Sequence, residues 1–217
     1  MKTALIFGSS GLVGKNLLDQ VINNSNYSKI KIFVRSSPEI SDPKVEIIIS
    51  DFMDLDIIKN LIIGDDCFFC IGTTKNNSPD KNEYRRVELE LPKKIAQISK
   101  SNNVKSFIFV SSGFANPKNS GDYLKFKGLV EEEIISLNFE KIGILRPSFL
   151  LGNRKEKRIG EKIGIFIFKI LSPFFIGSIK KMKPIHSEKV AKAMVQIAND
   201  DIQQTIFESN EISNLVG

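Results

Sequence analysis

The chain has 217 residues, long enough for one well-buried core, and its 41% hydrophobic and 26% charged residues are ordinary for a soluble globular protein. A net charge of +6 is spread as lysines over most of the predicted helices, a solvated basic surface for which no nucleic-acid partner is expected. No apolar leader precedes the first predicted strand, so a secreted protein is not expected either.

Ala4-Leu5-Ile6-Phe7 is an apolar run of the length of a buried strand, and it stops at Gly8. Gly8, Gly11 and Gly14 follow at three-residue spacing. Leu12, Val13, Leu17, Leu18, Val21 and Ile22 then fall on one helical face. Strand, tight glycine turn and helix aim free backbone N–H groups and a helix dipole at a diphosphate. Gly8, Ser9, Ser10, Gly11, Leu12, Val13 and Gly14 are therefore the candidate dinucleotide-binding turn. A P-loop is rejected: Ser9 stands where its first glycine belongs, and Asn16 replaces the Ser/Thr that would hold Mg²⁺.

Residues 29–34 predict the second strand, ending at Arg35-Ser36-Ser37-Pro38. An NAD site carries a carboxylate about 20 positions beyond the glycines for the ribose 2′-hydroxyl. None occurs here before Glu39. Arg35 stands where a 2′-phosphate would sit, with Ser9, Ser10 and Ser36 able to add hydrogen bonds, so NADP(H) is favoured over NAD(H). Residues 45–49 are a third strand, closing with Ser50-Asp51-Phe52. Asp51 either accepts a bond from the adenine amino group, with Phe52 over the base, or caps a helix over 53–61.

The fourth strand, residues 66–71, runs into Gly72-Thr73-Thr74. There a glycine lets a cofactor lie against the backbone and two threonines offer hydroxyls to ribose or phosphate. Cys67 and Cys70 spell C-x-x-C, but three positions apart on a strand they point to opposite faces and can neither bridge nor share a metal. No metal site is expected, and reduced cysteines predict a cytoplasmic protein.

Residues 80–101 predict one helix, with Val87, Leu89, Leu91, Ile95 and Ile98 available for the core. Residues 105–110 are a near-continuous apolar strand of the buried parallel kind, and they deliver Ser111-Ser112-Gly113 to the same sheet edge. Such regular alternation of strands and helices predicts a doubly wound α/β fold on a parallel sheet. The next helix, residues 122–136, carries Tyr123 and Lys127 four apart on one face. Residues 141–145 form a sixth strand, followed by Arg146-Pro147-Ser148-Phe149.

Five short motifs thus occur in order over nearly the whole chain: Gly8-Ser-Ser-Gly-Leu-Val-Gly14, Cys70-Ile-Gly-Thr-Thr74, Ser111-Ser112-Gly113, Tyr123-x-x-x-Lys127-Gly128 and Leu145-Arg146-Pro147. On these the sequence resembles the short-chain dehydrogenase/reductase superfamily, and within it the atypical branch of TIP30-like oxidoreductases. The resemblance implies that Tyr123, Lys127 and Ser112 are catalytic, with Ser111 the alternative to Ser112. It also implies that Ser111, Tyr123 and Lys127 touch the cofactor, and it places Pro147 and Ser148 beside the nicotinamide. A phenol titrates near 10. A Lys127 ammonium and a positive nicotinamide beside Tyr123 would favour the phenolate and lower that value. One departure stands out: many members carry an asparagine relay on the helix before the serine strand, whereas the Val87-Glu88 step here carries glutamate.

Past Asn153 the composition shifts. Arg154, Lys155, Lys157, Arg158 and Lys162 precede an apolar run over 163–176 that includes Ile163, Phe166, Phe168, Phe174 and Ile176. Lys169 and Pro173 interrupt it, so it is no membrane span. It covers the substrate cleft, buries against a second copy of the chain, or lies in a membrane interface. Residues 184–187 predict a short strand ending in an N-cap, Ser187, for a helix to 199. His186 is read as structural, with a substrate contact as the alternative, and no G-x-S-x-G elbow supports a hydrolase. An edge strand at 205–208 and a helix at 211–216 close the chain.

The expectation is one NAD(P)-binding Rossmann domain over 1–217, with 150–185 as its substrate-side subregion. Its expected activity is that of an NADP(H)-dependent oxidoreductase acting on a small carbonyl or alcohol. One rival is an NADPH-binding regulatory or scaffold protein with little turnover, and a second is a membrane-surface protein that uses the 163–176 run.

Overall fold

A computed structural model describes residues 1–152 and 184–217. The apolar run over 163–176 lies outside them, as does most of the expected substrate-side subregion. Seven parallel strands form the main sheet: β1 (Lys2–Phe7), β2 (Tyr27–Val34), β3 (Val45–Ile49), β4 (Asp66–Phe69), β5 (Ser106–Val110), β6 (Lys141–Arg146) and, at the end of the chain, β9 (Ile206–Glu208). Their order is β3-β2-β1-β4-β5-β6-β9, with every pairing parallel. A second, two-stranded sheet joins β7 (Leu150–Leu151) to β8 (Ile185–His186).

Helices cover both faces, as an all-parallel sheet requires. On one face lie α1 (Leu12–Ile22), α5 (Ser187–Asn199) and α6 (Ser209–Val216), packed on Ala4, Ile6, Ile30, Ile32 and Phe68. On the other lie α3 (Leu91–Ser101) and α4 (Asp122–Ser136), packed on Leu5, Phe7, Phe33, Phe69, Phe107 and Phe109. The parallel register sets Phe33, Phe7, Phe69 and Phe109 in one row across four strands. Phe7 and Phe33 stack at 4.3 Å, and Phe69 lies 5.9 Å from Phe7 and 6.1 Å from Phe109. Each buried ring contributes about 1.5–3 kcal/mol by transfer from water.

Two expected helices are altered. Residues 53–61 form turns and a single 3₁₀ turn, Lys59–Leu61, in place of an α-helix. Asp51 and Asp54 accept the Met53 and Asp56 N–H groups at 2.9 Å, local bonds that compete with helix formation. Residues 80–101 divide into α2 (Lys81–Arg85), a π-helical turn (Arg86–Glu90) and α3. Pro92, in the first turn of α3, has no N–H to give the Glu88 carbonyl, and the widened turn falls on that residue. Ser187 is the first residue of α5 rather than its cap; its hydroxyl accepts from Asn16 Nδ2 at 3.0 Å and ties α5 to α1.

The sheet order reverses between β1 and β4, so a crevice opens outside the carboxyl ends of these strands. Gly8 closes β1 with φ +90°, and a Cβ on it would lie 2.8 Å from the Cys70 carbonyl carbon. A Cβ on Gly14 would overlap the Gly8 carbonyl oxygen. Because that obstacle is backbone, Gly14→Ala is expected to destabilise the protein by about 1–3 kcal/mol. A urea melt reads this as a lower midpoint; an unchanged midpoint would refute such close packing.

Candidate active site

The turn after β1 leads directly into α1. Gly11 caps α1 through its backbone alone, and no acidic side chain occupies the first turn to oppose an anion. Gly11 N–H bonds the Gly8 carbonyl at 3.0 Å, which tightens the turn and leaves the next amides as unpaired helix-start donors. Ser9 is buried and Ser10 exposed. These residues fit a diphosphate. Arg35 stands exposed just past β2, near enough to Glu83 to help hold that carboxyl below its usual range, behind the dominant hydrogen bond from Arg86.

Tyr123 and Lys127 project from the first two turns of α4 toward the same edge. A Cβ on Gly128 would lie 2.7 Å from Pro117 Cδ, so glycine there lets the 113–121 loop cross the helix directly behind the pair. Lys127 is 3% exposed, with Nζ 5.0 Å from the Phe109 ring centre and 5.8 Å from that of Tyr123. Its charge is met by Glu88, itself 1% exposed, whose Oε2 stands 3.0 Å from Nζ as an ion-pair contact without an aligned hydrogen bond. The other carboxylate oxygen of Glu88 accepts the Thr73 N–H.

Burial works to lower the Lys127 pKa, but the charges of Glu88, Tyr123 and Glu131 outweigh it and the net shift is upward. Burial pushes the Tyr123 phenol up. Lys127 and the Ser112 hydroxyl pull it down, Glu88 pushes it up again, and the sum is a rise. Lys127 thus lowers Tyr123 as expected, but burial outweighs it, with Glu88 adding to the rise, so the net shift is upward.

The two serines separate. Ser112 is partly exposed and faces Tyr123. Ser111 is buried, and its hydroxyl donates to Glu131, whose oxygens also accept Arg146 Nε at 3.0 Å and Nη2 at 2.5 Å. Arg146 continues to Glu208 at 3.2 Å, so Ser111 belongs to a network joining α4, β6 and β9. Glu131 is one of three consecutive glutamates, a run that reads as solvated surface; only its place four residues after Lys127 on the inward face distinguishes it.

Other candidates fall nearby with partners of their own. The Thr73 hydroxyl meets Ser78 at 2.9 Å and the Thr74 hydroxyl accepts Asn77 N–H at 3.3 Å, so Gly72-Thr73-Thr74 is a self-bonded loop above Glu88. The Pro147 carbonyl accepts Gly113 N–H at 3.0 Å, and the Ser148 hydroxyl lies 3.1 Å from that of Ser209. Asp51 is exposed. Phe52 has φ +61° and turns its ring into the core, 6.3 Å from Phe7, so the ring is not presented to a base at the surface. His186 is exposed and makes no side-chain cap.

Strand order and glycine turn define a Rossmann-type domain. A family model described as NAD(P)H-binding matches residues 8–201, and the chain belongs to that family. It is 30% identical over 208 residues to the mitochondrial protein FMP52 of Candida glabrata, covering 94% of this chain and 88% of that protein. It is 31% identical over 164 residues to HTATIP2 (TIP30) of Rattus norvegicus, covering 74% and 71%. Among solved structures it resembles the UDP-N-acetylglucosamine 4-epimerase of Methanobrevibacter ruminantium (TM-score 0.71, 21% identity, 95% and 75% covered). It also resembles the Bordetella bronchiseptica enzyme WbmH bound to NAD⁺ (TM-score 0.72, 17% identity, 96% and 75% covered). The relatives named FMP52 are mitochondrial proteins, which overturns the cytoplasmic expectation: free thiols report reducing surroundings, not an address.

Cys67 packs among the phenylalanines of one face while Cys70 leans toward the other, its Sγ 3.9 Å from Met194 Sδ. Both are free thiols. Burial pushes Cys67 up to about 12 and raises Cys70 as well. The thiolate is the reactive form, so iodoacetamide at pH 8 should alkylate both on the order of 10³-fold more slowly in the native protein than after unfolding. Mass spectrometry reads the difference; equal rates would contradict the burial of these strands.

Proposed function

We propose that the protein is an NADP(H)-dependent oxidoreductase that interconverts a small carbonyl compound and its alcohol, with Tyr123, Lys127 and Ser112 as catalytic residues. The observation that carries this reading is the convergence of the three at the sheet edge where the glycine turn opens. Residues 1–217 are read as one domain, with 150–185 on the substrate side. Arg35, with Ser9, Ser10 and Ser36, is the binding set for a 2′-phosphate, since no carboxylate follows β2 before Glu39 to take a free 2′-hydroxyl. The amides of the turn hold the diphosphate.

When bound, the reduced nicotinamide supplies a hydride to the carbonyl carbon. Tyr123 gives its hydroxyl proton to the carbonyl oxygen, and Ser112 donates a hydrogen bond to the same oxygen as charge develops on it. Lys127 holds the ribose and favours the transient phenolate, which regains a proton from water. The balance is one carbonyl, one NADPH and one proton in, one alcohol and one NADP⁺ out. A phenol raised by burial is protonated at neutral pH, the form needed for reduction.

Two variants test this. Tyr123→Phe should lower kcat for NADPH-dependent carbonyl reduction about 10²–10⁴-fold while calorimetric NADPH affinity stays near wild type. Arg35→Glu should weaken NADPH binding at least about tenfold and spare NADH, since a charge-assisted bond to phosphate is worth about 1.5–3 kcal/mol. Binding without consumption across a carbonyl panel, unaffected by Tyr123→Phe, would overturn the enzymatic reading. Equal losses for both cofactors would overturn the role of Arg35.

A further inference from the structure

Glu88 is used by none of the steps above. Its carboxylate is nevertheless among the most buried of the described residues, at 1% exposure, and each of its oxygens meets an element of the site. One accepts Thr73 N–H, fixing the loop after β4; the other stands 3.0 Å from Lys127 Nζ on α4. A Cβ on Gly72 would lie 3.4 Å from the first of these oxygens, within van der Waals contact, so the loop passes directly over the carboxylate. The side chain reaches this position from the π-helical turn, where the widened backbone carries a charged group into a layer of apolar neighbours.

We infer that Glu88 is a positioning residue: its buried carboxylate locks the Lys127 ammonium to the Gly72–Thr74 loop, so that two cofactor-facing elements are held in register and Lys127 keeps its charge in an apolar setting. The consequence for the cofactor rests on the reading given under Proposed function; the state of Lys127 does not. An asparagine at this point would bond the loop as well, but could not supply the negative charge that a buried ammonium needs.

The surroundings of Lys127 leave Glu88 as its one direct counter-ion among the described residues. Tyr123 and Glu131 flank it on α4, and Phe109 of β5 offers a ring face. Cys70 past β4 is raised and neutral. Glu131 is taken up by Arg146 and Ser111. Tyr84 of α2 and Asp122 at the start of α4 face the phenol side, where burial raises Tyr84 and Tyr123 and Glu88 adds to both. Removing the Glu88 charge leaves burial, which disfavours the ammonium, as the largest influence on Lys127, so its pKa must fall.

The test is an NMR titration of the Lys127 side chain, assigned with Lys127→Met, in wild type, Glu88→Asp and Glu88→Gln. Wild type should titrate above the ordinary lysine value of about 10.4, Asp lower, and Gln at least about one pH unit below wild type. An unchanged Lys127 midpoint in Gln overturns the inference. Should Gln fail to fold, Asp decides, since retreat of the carboxylate by one carbon must lower the midpoint and an unchanged value overturns it equally. A second arm measures NADPH affinity at pH 7 and at one pH unit above the Lys127 midpoint found for Gln: weaker at the higher pH by no more than about twofold for wild type and by about tenfold for Gln. A pH-independent loss in Gln would mean a merely structural role and would also overturn it. If wild type binds no NADPH while the NMR order holds, the cofactor reading fails and the positioning of Lys127 stands.

Discussion

Helix α1 can approach strand β1 only because Gly14 has no side chain to strike the Gly8 carbonyl, and this contact governs the carboxyl edge of the sheet. It brings the first amides of α1 over the end of β1 while Gly8, at φ +90°, lets the chain reverse. Because β4 is the neighbour of β1, the same turn lies against Cys70 and the loop that follows. The crevice is therefore a product of strand order and two missing methyl groups, before any catalytic side chain is placed in it.

Charge burial along this edge follows a consistent rule. Lys127 is met by Glu88 and Thr73 shares the carboxylate; Arg146 is met by Glu131 and Glu208; Asp66, at the opposite end of β4, is met by Lys2 at 3.0 Å and by the Tyr27 hydroxyl at 2.7 Å. A buried pair adds little net stability, since desolvation offsets most of the attraction, yet removing one member strands the other at a cost of about 3–5 kcal/mol. Such pairs specify which helix meets which strand. In this chain they join α4 to the π turn and to β6, which fixes the direction of the Tyr123–Lys127 face.

The parallel sheet and the glycine turn were legible because hydrophobic run length, glycine spacing and strand–helix alternation are local signals. The limits of α4, Asp122–Ser136, match the helix expected over 122–136. What escaped was settled by competition between local and distant groups. Asp51 and Asp54 bond their own backbone and dissolve the expected 53–61 helix, and Pro92 widens a helix that apolar periodicity alone would continue. Phe52 looks like a lid for a base, yet its ring finds Phe7 in the core. Glu131 cannot be told from Glu132 and Glu133 without the fold. Glu88 was visible as an unexpected residue, but its meaning depends on Lys127 arriving from another helix. The cellular address left no mark in the thiols from which it was inferred.

The account stands most directly on where the cofactor lies. A crystal structure of the protein with NADPH should show the diphosphate on the amides that begin α1, a ribose hydroxyl bonded to Lys127 Nζ with Glu88 still beside it, and the Tyr123 phenol facing the nicotinamide. A dinucleotide seated anywhere other than the β1–β4 crevice, or one whose nicotinamide end turns away from Tyr123 and Lys127, would contradict it.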